Sequence, residues 1–182
     1  MTAPFVQRTL APAMRACSRC GVVPTRHLLA VNITRQTTTL FQREQNGYAL
    51  RKIFRCSTSK FGIGETAGSN MTPRGLHRIS QKIGGGWPVG VVFEGRRVIG
   101  FTWQGRPLAR IAHRILWLEG LESGLNRGGN IDSFRRYIYI HGTGDETTLG
   151  RPDSHGCVHL SASDLLPLYD KLPEGTLVWL SA

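Results

Sequence analysis

From Leu28 onward the chain alternates short apolar or β-branched runs with polar punctuation, a pattern of strands joined by turns. LLAVNI (28–33), TTTLF (37–41) and YALRKIF (48–54), the last preceded by a polar turn at Gln45-Asn46-Gly47, predict a meander of short strands. IAHRILWL (111–118) and RYIYIHG (136–142) predict two more, the second setting Tyr137 and Tyr139 against Ile138 and Ile140. TLVWL (176–180), after the Pro173-Glu174-Gly175 turn, predicts a closing strand. Ser161 with Asp164 three residues on offers a capping pair for a short helix, which Pro167 is expected to delay or kink. GIGETAGSNMTPRG (62–75) reads as a long loop able to carry binding groups, and GGGWPVG (84–90) as a second break. The expected fold class is mostly β with short helices.

Residues 1–27 hold four arginines and no acid, with apolar positions interrupted by Pro and Arg, and read as a basic, flexible N-terminal tail ahead of a domain spanning 28–182. No secretory signal is visible in this stretch, and no apolar run approaches the roughly 20 residues that span a bilayer. A chain of 182 residues buries an adequate core without disulfide or metal staples. The net charge of +11 favours polyanions, which makes anionic wall polymers candidate partners. The arginines are scattered and not interleaved with aromatics, so no specific nucleic-acid groove is expected.

Chemistry concentrates in HGTGDETTLGRPDSHGCVHLSASD (141–164), which sets a histidine at a strand end and a cysteine in a Gly-flanked turn. A thiol becomes a strong nucleophile only on losing its proton, so Cys157 needs a nearby imidazole. His141 and His155 compete for that role. The Gly- and Pro-containing spacer allows His141 to fold back onto the sulfur, and His155 is better placed to shape the turn. Gly156 permits close approach of a carbonyl substrate, and amides around Gly156 and Cys157 are candidate oxyanion donors. The orienter of His141 is a main-chain carbonyl such as that of Gly142, with Asp145 and Asp153 as alternatives. Ser154, His155, His159 and Arg114 are candidate substrate contacts. Zinc sets drawn from Cys17, Cys20 and His27, or from His141, His155, Cys157 and His159, lack the paired spacing of structural sites, so no metal or other cofactor is expected. Cys56 reads as a packing residue.

His141 followed by Ser154-His155-Gly156-Cys157-Val158 resembles the signature of the L,D-transpeptidase catalytic domain, the YkuD family, whose members carry a histidine, a spacer, and Ser/Thr-x-Gly-Cys with an apolar residue after it. Thr72-Pro73-Arg74-Gly75 is similar to the family's Thr-Pro-x-Gly turn, and the resemblance runs from about Leu28 to the C-terminus. It implies a sandwich-like β domain and a Cys157 thioester enzyme that crosslinks the tetrapeptide stems of peptidoglycan, releases D-alanine and is acylated by carbapenems. It also implies a place in the cell envelope or periplasm. His159 departs from the family's usual Arg or Asn, and the GGGWPVG and HRILWLEGLE segments look unlike its compact core. An L,D-carboxypeptidase, another cysteine peptidase and a non-catalytic wall-binding module are the alternatives.

Overall fold

The computed structural model describes residues 3–182. Ten strands form one hydrogen-bonded mixed sheet with two helices: α1 (Ala3–Arg19), β1 (His27–Asn32), β2 (Thr37–Glu44), β3 (Gly47–Arg55), β4 (Gly75–Ile83), β5 (Val91–Glu94), β6 (Arg97–Phe101), β7 (Ala112–Gly120), β8 (Tyr139–Gly142), β9 (Val158–Leu160), α2 (Ala162–Lys171) and β10 (Leu177–Ser181). The strand order is β3-β2-β1-β10-β4-β7-β5-β6, with β8 branching from β7 and β9 pairing with β8. Only β1–β10 and β8–β9 run parallel. The mostly β class with short helices read from the sequence is the one observed, as a mixed sheet. One core joins Leu29, Val31 and Leu40 from the β1–β2 layer to Ile140, Val158 and Leu160 from β8 and β9, and to Leu165, Leu168 and Leu172 near α2.

Two stretches without a predicted element are strands. In β4, LHRISQKI lacks strict alternation because Leu76 and His77 are buried on both faces and the second half, from Ser80 on, is mostly half-buried. The β5–β6 hairpin, which the sequence suggests is part of a loop insertion, turns at Gly95-Arg96 and joins the main sheet at one ladder position, Val92 opposite Ala112. β8 begins at Tyr139 rather than Arg136, because Tyr137 adopts a left-handed backbone (φ 56°) that no strand continues through.

Helix α2 is capped as expected, Ser161 Oγ accepting from the Asp164 N–H, yet it neither starts late nor breaks at Pro167. The proline deprives only the Ser163 carbonyl of its partner, and both residues are exposed, so water replaces the bond. The expected basic tail also differs: Ala3–Arg19 is helical and docked. Leu10, Ala13 and Cys17 recur at helical spacing and bury with Ala16 against Leu28, Phe41 and Leu76. Arg19 pairs with Glu122 at 2.7 Å, whose other oxygen accepts from the Leu76 N–H. Pro12 and the scattered arginines disguise this stripe in the sequence.

Four histidines are buried within the fold; His113 accepts from the Gly90 N–H at 2.9 Å, and the other three lie furthest below the ordinary value. Burial pushes His77 down to about 4, His141 to about 3 and His159 to about 4. His77 is held between the Gly75 carbonyl (3.0 Å) and Ser133 Oγ (2.9 Å).

Two outcomes follow. Ala13→Asp, which places a carboxylate in a fully buried position, lowers stability by about 3 kcal/mol and exposes residues 3–19 to amide exchange, whereas Arg8→Asp on the exposed face changes neither. His77, His141 and His159 are neutral in the fold and have values below the ordinary 6.5. Their contribution is therefore full above about pH 6.5 and declines as pH falls toward their folded values, where unfolding takes up protons. Denaturant titrations from pH 8 to 5 should give a loss steepening to about 4 kcal/mol per pH unit if all three titrate together.

Candidate active site

Strand parity assembles the site. In β8 and β9, Ile140, Val158 and Leu160 point into the core shared with α2. Period-2 alternation turns Tyr139 and His141 of β8, and Cys157 and His159 at the start of β9, to the opposite face. The parallel register sets His141 beside His159 and Ile140 beside Val158, which brings Cys157 level with Tyr139. Strand spacing then puts the Cys157 and His141 Cα atoms about 8 Å apart on the diagonal, within side-chain reach.

The turn before Cys157 is braced by its own side chains and by the 62–75 loop. Ser154 Oγ donates to the Cys157 carbonyl (2.6 Å) and accepts from the Gly156 N–H (3.2 Å). Thr72 Oγ1 donates to the Gly156 carbonyl (3.1 Å) and accepts from the Ser59 N–H (3.0 Å). Gly156 has φ 117°, and a Cβ there would stand 3.2 Å from the Met71 carbonyl oxygen, so the position requires glycine. Arg136 fastens the same loop by donating to the Glu65 (2.6 Å) and Met71 (2.7 Å) carbonyls.

The Cys157 thiol is half-buried. It donates to the Tyr137 carbonyl (3.4 Å) and its sulfur accepts from the Tyr139 N–H (3.4 Å). Desolvation pushes it up to about 11, with the Tyr139 N–H and the Arg136 charge opposing that rise. His141 is not a hydrogen-bond partner of the sulfur. Its Nδ1 lies 2.8 Å from the Gly142 carbonyl, which can only accept, so Nδ1 carries the proton and Nε2 keeps a free lone pair. The resting pair is therefore a neutral thiol and a neutral imidazole, the second held that way by burial first and by His159 next.

The remaining candidates separate. His159 stands 4.6 Å from His141, ring centre to ring centre, with its buried Nδ1 unpartnered among the described residues. His155 is exposed and meets the Phe61 ring edge-on at the rim. Ser154 is buried and committed to the turn. The Gly156 N–H is likewise engaged. Gly142 orients His141 and lies against the His113 ring, 2.5 Å from where its Cβ would be. Asp145 bonds Thr147, not His141. Arg114 lies on the other face of β7, where its guanidinium sits over Tyr169 and donates to the His113 and Trp87 carbonyls, so the structure separates it from Cys157. Among the described residues no three His, Cys, Asp or Glu side chains are grouped to hold a metal ion. Sequence reasoning missed Tyr137, Tyr139 and Arg136. Tyr137 and Tyr139 meet the sulfur through main-chain atoms, which leave no side-chain signature, and the left-handed backbone of Tyr137 is shared with Gln36, Asn70 and His113.

Comparison with known proteins matches residues 26–180 to the L,D-transpeptidase catalytic domain family, YkuD. Among solved structures, an L,D-transpeptidase from Mycobacterium smegmatis is similar at 20% identity and a TM-score of 0.52, covering 86% of this chain and 59% of its own. The Bdellovibrio bacteriovorus protein Bd1075 is similar at 13% identity and 0.55, with 86% and 48% covered. The helical cell shape determining protein Pgp2 from Campylobacter jejuni is similar at 15% and 0.53, with 87% and 47% covered. These likenesses concern the fold, and the chain spans less than two thirds of each of these three structures. No curated protein matches. With the family matched across residues 26–180, nearly the whole length, this chain belongs to the L,D-transpeptidase catalytic domain family.

Proposed function

We propose that the protein is an L,D-transpeptidase of peptidoglycan in the cell envelope, working through a thioester on Cys157. The observation that carries this reading is the pairing of a turn-mounted thiol with an imidazole on the same sheet face, its Nδ1–H anchored and its Nε2 free. In the first step Cys157 Sγ attacks the carbonyl of the third stem residue as His141 Nε2 takes the thiol proton. The carbonyl oxygen becomes an oxyanion, for which the Cys157 N–H is the candidate donor, since the Gly156 N–H is bound to Ser154 Oγ. Collapse breaks the C–N bond, and His141 returns the proton to the departing amine of D-alanine. In the second step an amine of a neighbouring stem attacks the thioester, loses a proton to His141, and regenerates the thiol. No step draws on a cofactor.

The neutral resting pair constrains the pH response. Substrate closing over the site completes the desolvation, so proton transfer accompanies attack and does not precede it. Among the described residues no helix is long and apolar enough to cross a membrane.

Mass spectrometry of products from disaccharide-tetrapeptide should show crosslinked dimers and free D-alanine, with turnover reduced by at least about 1,000-fold in Cys157→Ala. Tripeptide monomers alone would mean hydrolysis, and cleavage of an all-L peptide would mean an ordinary cysteine peptidase. Because His141 titrates near 3 and Cys157 near 11, kcat/KM should be level from about pH 5 to about pH 9 while the fold persists. A tenfold rise per pH unit would instead mean that preformed thiolate is the reactive species.

A further inference from the structure

Arg96, at the tip of the β5–β6 hairpin, stands at the mouth of the site. Its guanidinium lies 4.6 Å from the Trp117 ring centre and 5.0 Å from that of Tyr137, and it donates through Nη1 to Tyr139 Oη at 3.3 Å. Tyr137 and Tyr139 are the two residues whose backbone carbonyl and N–H bond the Cys157 sulfur. The thiol and the guanidinium are thus held by the same pair of residues, one through the main chain and the other through side chains. The platform beneath is rigid: Trp117 stacks on Phe134 at 4.0 Å and 4°, and its Nε1 donates to the Phe134 carbonyl.

Arg136 and Arg114 direct their N–H groups to main-chain carbonyls, but Arg96 has a single hydrogen bond among the described residues. None of the five ion pairs of those residues includes it. An exposed guanidinium that is stacked on aromatics and retains most of its five N–H donors is prepared to bind a planar anion in a fork.

Resting on the transpeptidase reading, we infer that Arg96 forms a carboxylate subsite that grips the free C-terminal carboxylate of the departing D-residue. That carboxylate lies one residue beyond the attacked carbonyl, a Cα step of about 4 Å, so a guanidinium over Tyr137 and Tyr139 holds it while the carbonyl rests on Sγ. The subsite makes the enzyme select chain ends over internal peptide bonds, and Arg96 acts as a specificity residue that touches the substrate.

The test compares wild type, Arg96→Leu and Arg96→Lys on disaccharide-tetrapeptide ending in D-alanine and on the same compound ending in D-alaninamide, with rates of release read by mass spectrometry. Wild type should favour the acid by about 30-fold in kcat/KM, mostly through KM, and Arg96→Leu should bring the ratio to within about 3-fold of unity. Arg96→Lys, which keeps the charge but not the fork, should fall between them. If Arg96 only latches the hairpin to Trp117, Arg96→Leu will slow both compounds alike and keep the wild-type ratio, which overturns the inference. Equal use of acid and amide by wild type also overturns it, while leaving the transpeptidase reading intact. Turnover of neither compound by wild type overturns both.

Discussion

The site depends on the register of β8 against β9. A slip of one residue would turn Cys157 and His159 into the core and expose Val158 and Leu160, so burying those two side chains with Ile140 also fixes where the Cys157 thiol points. The register is braced from both sides. β7 pairs with β8 on one edge, and Ser57 exchanges two main-chain hydrogen bonds with His159 on the other. Hydrophobic burial of one strand face thereby sets the chemistry of the other.

A second layer of polar contacts turns that placement into a defined thiol environment. Thr72, Ser154 and Arg136 make no hydrogen bond to the Cys157 sulfur. Thr72 joins the Cys157 turn to the 62–75 loop, Ser154 closes the turn on itself and Arg136 fastens the loop, each through a main-chain carbonyl. Tyr137 adopts a conformation costing about 1–2 kcal/mol, and its carbonyl is the acceptor for the thiol. Strain stored beside the Cys157 thiol is sustained by the stacked Trp117 and Phe134, with Trp117 packing on the Tyr137 ring.

Where local pattern and tertiary placement agreed, the sequence was readable. Strands β1, β2, β7 and β10 show clear apolar runs, and the Ser161 cap announces α2. Proline misled twice, at Pro12 and Pro167, because its cost depends on whether the orphaned carbonyl is buried, and that is a tertiary property. The types of the key residues, Cys157 and His141, stood out from their spacing. Their surroundings did not: Ser154 looked like a substrate contact because it is near in sequence, yet the turn occupies it, and Arg114 was on the wrong side of β7 by strand parity. Arg96 reaches the site from a distant hairpin, which no local window could reveal.

The half-buried thiol has a consequence for durability. Peroxides and disulfides react with thiolate, and a group pushed up to about 11 presents almost none at neutral pH. Cys17, Cys20 and Cys56 are raised by burial too, so in all four thiols burial favours the protonated form. The burial that keeps the Cys157 proton in place therefore also slows the reaction of its sulfur with peroxides and disulfides.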